Sequence, residues 1–248
     1  FASDGVVNAN FGGGNWDFTA ENICMSNNGT TLIIGAPANL NSVYIYRKNG
    51  STWNETKIDC PDGSGKYFGN AIACTPDANI LVIGAIFIIE SCFYVYEWDG
   101  SSYILLKRIP SPTPSRTNDF AVTISISDDG NKILVGSYRY PYPDYKGAVY
   151  LYERNKISWP GYEKRFEGDD SVNGDWYGLG VKISADGNTI AIGAPLHNSQ
   201  KGAVYIYKWD GSDWDPIKKF IGNANTDLLG RHISMSYNGS RIIAGERF

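Results

Sequence analysis

The chain has 248 residues, 42% of them hydrophobic and 14% aromatic, with 28 Gly, 17 Tyr, 7 Trp and only 2 Met. That apolar content excludes wholesale disorder, and the surplus of Tyr, Trp and Gly over helix formers favours strands and tight turns. A net charge of −4 without any Lys/Arg run argues against a nucleic-acid partner. The longest apolar run, Ile80 to Ile89 broken by Gly84, falls short of the ~20 residues of a membrane span, so no membrane insertion is expected.

In chain order, residues 1–11 come first and belong to no repeat. Gly5-Val6-Val7-Asn8-Ala9-Asn10-Phe11 reads as one short strand. The first residue is Phe1 rather than Met, which is expected of a mature product or a fragment.

A unit of about 50 residues then recurs five times. Each copy carries an equivalent hairpin signal: Asn27-Asn28-Gly29-Thr30, Pro76-Asp77-Ala78-Asn79, Asp128-Asp129-Gly130-Asn131, Ala185-Asp186-Gly187-Asn188 and Tyr237-Asn238-Gly239-Ser240. Asn-Gly and Asp-Gly tolerate the positive φ of a tight turn, so each signal marks two antiparallel strands. The second strand of each pair is apolar at successive positions, as in Leu32-Ile33-Ile34-Gly35 and Thr189-Ile190-Ala191-Ile192-Gly193. Apolar residues on both faces suit a strand held between two neighbouring sheets.

A third strand follows in four units: Val43-Tyr44-Ile45-Tyr46, Phe93-Tyr94-Val95-Tyr96, Val149-Tyr150-Leu151-Tyr152 and Val204-Tyr205-Ile206-Tyr207. A second polar hairpin leads to a fourth strand starting near Trp53, Tyr103, Trp159 and Trp214. Four-stranded antiparallel meanders of this length predict an all-β fold, a β-propeller, because one such sheet cannot cover both of its own faces. The expected blades span about 12–60, 61–110, 111–168, 169–222, and 223–248 with 1–11, within a single domain over 1–248.

The units resemble the FG-GAP repeat of integrin α-subunit heads and of many secreted bacterial, protist and viral proteins. The aromatic-Gly half stands at Phe68-Gly69 and Tyr177-Gly178, with altered forms at Phe120-Ala121 and Leu229-Gly230 and near Phe18. The Gly-Ala-Pro half stands at Gly35-Ala36-Pro37 and Gly193-Ala194-Pro195, with altered forms at Gly84, Gly136 and Gly245. The resemblance covers about residues 15 to 248 and implies the propeller frame, on which the family carries adhesive, scaffolding and carbohydrate-associated roles. It also implies calcium loops in many members. The nearest segment here, Asp169-Asp170-Ser171-Val172-Asn173-Gly174-Asp175, lacks their alternating carboxylates and reads as a solvated acidic turn, so no metal and no cofactor is expected.

The fifth unit stops after two strands. Its completion has three readings: the segment 1–11 closes it within the chain, a strand from another copy completes it and builds filaments, or the chain is part of a longer propeller.

Four cysteines are present. Cys60 and Cys92 fall at the same end of units one and two and are expected to pair; Cys24 and Cys74, on innermost strands, form a second candidate pair or remain small core residues. Of the two histidines, His197 falls in the loop after Gly-Ala-Pro and His232 inside an innermost strand. No nucleophile motif accompanies them, so no catalytic residues are assigned and the chain is not expected to be an enzyme. Asn28, Asn49, Asn54 and Asn238 head N-x-Ser/Thr sequons in or beside hairpins. Tyr138, Tyr140, Tyr142 and Tyr145 cluster with Pro141 and Pro143 in an enlarged loop that reads either as a contact surface or as a self-packed loop.

The expectation is therefore an extracellular or surface-exposed glycoprotein that binds protein partners or copies of itself. A lectin-like propeller binding glycans is the alternative, and a hydrolase with a site in the central channel is less favoured.

Overall fold

Each of the five hairpin turns is built around a hydroxyl two residues ahead of its Asp or Asn. Ser26, Thr75, Ser127, Ser184 and Ser236 donate to the side chains of Asn28, Asp77, Asp129, Asp186 and Asn238 at 2.5–3.1 Å. The same oxygens accept the amides of Thr31, Ile80, Lys132, Thr189 and Arg241 at 2.9–3.0 Å. The turn polar groups are thereby satisfied locally, which fixes the start of the next strand and its register.

The structure is a computed structural model that describes residues 22–37, 41–63, 67–86, 90–113, 119–155 and 158–245. Unit one contains β1 (Ile23–Met25), β2 (Thr31–Ala36), β3 (Ser42–Asn49) and β4 (Thr52–Asp59). Unit two contains β5 (Phe68–Cys74), β6 (Ile80–Ala85), β7 (Cys92–Trp98) and β8 (Tyr103–Pro110). Unit three contains β9 (Thr123–Ile126), β10 (Lys132–Ser137), β11 (Ala148–Glu153) and β12 (Tyr162–Phe166). Unit four contains β13 (Gly180–Ile183), β14 (Thr189–Ala194), a short turn α1 (His197–Gln200), β15 (Ala203–Trp209) and β16 (Trp214–Ile221). Among the described residues unit five contributes β17 (Ile233–Met235) and β18 (Ile242–Ala244). Units one to four are each a four-stranded antiparallel sheet with neighbours in chain order. The expected strand at residues 1–11 lies outside the described residues.

One boundary differs from expectation. The fourth strand of unit three begins at Tyr162, not near Trp159. Trp159 is buried instead in the core between units two and three, and Pro160 lacks the amide that a ladder position needs.

The units pack face to face in sequence. One core joins Ile33, Val43 and Ile45 of unit one to Leu81, Ile83 and Tyr94 of unit two. Equivalent cores join units two and three, three and four, and four and five. Each middle sheet thus covers both faces, the physical reason for its doubly apolar strands.

The two halves of the sequence repeat meet at these junctions. A Cβ added to Gly35, Gly84, Gly136 or Gly193 would collide with the backbone oxygen of Gly69, Ala121, Gly178 or Gly230, respectively, in the next unit. Glycine in the second strand is therefore a requirement of close approach. The neighbouring aromatics Phe68, Phe120 and Tyr177 are fully buried in the same junction cores. Backbone bonds between hairpin turns add a second tie, from Asn27 N to Pro76 O, Asp128 N to Ala185 O and Ala185 N to Tyr237 O, at 2.8–3.0 Å.

Candidate functional site

The first strands of units two to five and Asn22, just ahead of β1, line a cavity of about 360 Å3, with Ile72, Thr123, Val181 and Ile233 in turn and Arg231 and His232 at one side. His232 sits one residue ahead of β17 and is exposed, rather than lying inside an innermost strand as expected. Among the described residues the lining carries no carboxylate, so the facing acid pair that glycoside hydrolysis requires is not assembled there.

A polar cluster gathers at the end of the β13–β14 hairpin. His197 and Asp175 are both buried, and His197 Nδ1 lies 2.7 Å from Asp175 Oδ2, which also accepts the amide of Val172 at 2.8 Å. His197 Nε2 lies 2.8 Å from Lys219 Nζ. That geometry fits a neutral imidazole that donates from Nδ1 and accepts at Nε2. Lys219 also pairs with Asp170, which accepts the Tyr205 hydroxyl at 2.8 Å. The Lys219 ammonium, with help from Tyr205, holds the Asp170 carboxyl below its ordinary pKa. The acidic turn is thus partly buried, and Asp170 and Asp175 are engaged by protein donors; among the described residues no group of three or more metal-ligating side chains forms. Sequence reasoning placed Asp175 and His197 in separate loops. The available signal was topological: one precedes β13 and the other follows β14, and an antiparallel hairpin returns its two ends to the same place.

The tyrosine loop divides. Tyr138 stacks edge-on against Trp176 at 5.3 Å and is buried, while the Arg165 guanidinium lies 4.7 Å above the ring of Tyr140. Backbone bonds from Gly174 N to Asp144 O, Trp176 N to Tyr145 O and Tyr177 N to Lys146 O fasten the loop to the entry of unit four. Tyr142, 58% exposed with its ring 5.6 Å from Tyr145, is the member that faces solvent.

The cysteine expectation is corrected. The disulfide joins Cys24 of β1 to Cys74 of β5, with Cα atoms 6.3 Å apart. Cys60 and Cys92 are buried thiols, and the expected bond between them is not formed. Burial in the core of units one and two pushes the Cys92 thiol up to about 12. Cys24 and Cys74 bridge adjacent inner strands, where opposite parity turns one side chain toward the other.

All four sequon asparagines are exposed. In Asn28 and Asn238 the side-chain oxygen accepts the turn hydrogen bonds. Attachment of a glycan through the amide nitrogen would leave those bonds in place.

The last concave region follows from the short fifth unit. A cavity of about 480 Å3 lies between β15–β16 and β18, walled by Val204, Ile206, Ile217, Phe220, Leu229 and Ile242. Ile217, Phe220 and Ile221 of β16 remain exposed beside it. In each of units one to four a third strand pairs with the second, but among the described residues nothing pairs with the outer edge of β18.

No family profile and no curated protein sequence matches the chain. Solved structures do match its architecture. A functionally unknown protein from Desulfotomaculum acetoxidans aligns with 90% of this chain at TM-score 0.62 and 14% identity. A chain of the mitotic checkpoint complex aligns with 90% of it at TM-score 0.59 and 13% identity. This chain spans 61% and 58% of those two chains, and at such identity the likeness is one of fold alone.

Proposed function

We propose that the chain is an FG-GAP-type β-propeller segment acting as a non-catalytic interaction or structural module, and that its unfinished fifth blade is the binding element. The observation that carries this reading is the apolar slot of about 480 Å3 beside the outer edge of β18, which pairs with no strand among the described residues. An extended strand would find backbone partners on β18 and apolar walls in Ile217, Phe220 and Leu229, as in strand addition to an open sheet. The Cys24–Cys74 bond and the four exposed sequons support a secreted or cell-surface setting. The described lining of the 360 Å3 cavity, free of carboxylates, and the internally paired His197 cluster support a binding role over a hydrolytic one.

A synthetic peptide with the sequence of residues 5–11 tests the slot. It is expected to bind and to slow amide exchange in β18, and Phe220→Asp is expected to abolish both without altering the melting temperature. Absence of binding, or binding indifferent to Phe220, would overturn the reading. The exposed Tyr142 ring supports glycan binding as a second reading, which a glycan array compared between wild type and Tyr142→Ala would decide.

A further inference from the structure

Counting two residues back from the junction glycine of each unit gives Ile33, Val82, Leu134, Ala191 and Ile243. The first four are fully buried, each in the core shared with the following unit. Ile243 is 75% exposed. The junction glycine of unit five is open too. A Cβ on Gly245 would find its nearest neighbour 3.8 Å away, in His232 of its own unit. Unit five therefore carries the trailing half of a unit junction with nothing described against it.

Among the described residues the opposite half is bare on unit one. Ile23 and Met25 of β1 occupy the positions of Val181 and Ile183 in β13, as their pairing with β2 and β14 shows. Val181 and Ile183 are buried against unit three. The corresponding residues Ile72 and Cys74, Ile124 and Ile126, and Ile233 and Met235 all pack against the cores of their preceding junctions. Ile23 and Met25 are 49% and 58% exposed. One chain thus bears both halves of an interface that it forms four times internally, and among the described residues neither of these two halves is mated.

We infer that the trailing face of unit five docks on the leading face of unit one of a second copy, continuing the internal stacking from chain to chain. The inference rests on the reading of the fifth unit as a binding element, but assigns a different mode: sheet face against sheet face rather than strand added to edge. The two patches differ, so the contact is head to tail and leaves one free half at each end of any open assembly. Apolar matching is the recognition chemistry, Ile243 against the Ile23 and Met25 side.

Sedimentation equilibrium of the full 248-residue chain across the micromolar range tests the contact. Wild type is expected to associate, with mass rising as concentration rises. Ile243→Asp and Met25→Asp should each weaken association by at least about tenfold, since each buries a charge in place of an apolar side chain. Both sites are exposed, so the melting temperature should hold. Ala191→Asp, at the buried equivalent position, should instead lower stability. The sharpest expectation concerns an equimolar mixture of Ile243→Asp and Met25→Asp. Each variant keeps the half that the other lacks, so the mixture should form a dimer that does not grow. Deleting residues 1–11 should leave face-mated association in place. Association that survives Met25→Asp but disappears with that deletion would overturn face mating while sparing strand addition. A chain that stays monomeric at every concentration would overturn self-association by either route.

Discussion

Replacing Gly193 by Ala interrogates the unit junction at its tightest point. The new methyl would collide with the backbone oxygen of Gly230, and the carbonyl carbon and Cα of that residue would stand only 2.6 and 2.9 Å away, against ordinary contact from 3.4 Å. All three are backbone atoms of a residue with φ +94°, so no flexible side chain can swing aside. Units four and five must separate, or β14 must shift in its sheet. Overpacking of a close junction costs about 1–3 kcal/mol, and with several backbone overlaps the upper end applies, about 3 kcal/mol. For a chain of this length that corresponds to a fall in Tm of roughly 6–12 °C. The matched control is Gly245→Ala, where the nearest atom would be 3.8 Å away and the expected change is within about 0.5 kcal/mol. Calorimetric or circular-dichroism melts of both variants make the comparison. Equal effects at the two sites, or a negligible effect at Gly193, would refute the claim that close backbone approach at this glycine locks one unit to the next.

Other perturbations follow from the same structure. Removing the Cys24–Cys74 bond by double Ser substitution opens a loop of 50 residues and should cost about 4 kcal/mol on the loop-entropy argument, read as a lower Tm that reductant reproduces in the wild type. Asp186, held below its ordinary 3.8 chiefly by the Ser184 hydroxyl, and Asp170, held low chiefly by Lys219, stabilise the fold above that pH and lose their contribution as pH falls through their depressed values. Stability should therefore decline as pH falls below about 4, and Asp186→Asn should flatten the acid limb of a stability–pH profile. The Lys182 amine is pushed below its ordinary pKa by burial alone, so its charged form is penalised at neutral pH; Lys182→Met should raise the Tm near pH 7, with the gain shrinking toward pH 10.

The repeated sheets were legible because the signals were local and repeated. Asp-Gly and Asn-Gly turns, doubly apolar second strands and the Tyr-x-Tyr third strands each needed only a few adjacent residues. A further local signal is the Ser or Thr two residues ahead of each turn Asp or Asn, which closes each of the five turn networks. What the sequence did not yield depended on contacts between distant segments. Cys92 looked equivalent to any strand-opening cysteine until its depth in the core of units one and two was visible. Asp175 and His197 met only through the β13–β14 hairpin, and Tyr138 differed from Tyr142 only because Trp176 of the next unit covers it. Exposure of Ile23, Met25 and Ile243 was equally hidden, because their sequence context matches that of their buried counterparts.

The fifth unit, in this reading, is the surface on which a partner strand or a second copy docks. Amide hydrogen exchange of β18 at increasing protein concentration tests it most directly, because both proposed modes cover Ile242–Ala244 or its outer face. Protection of these amides is expected to rise with concentration while the cores of units two and three stay protected throughout. Fast exchange in β18 at every concentration, or full protection already at the lowest, would contradict it.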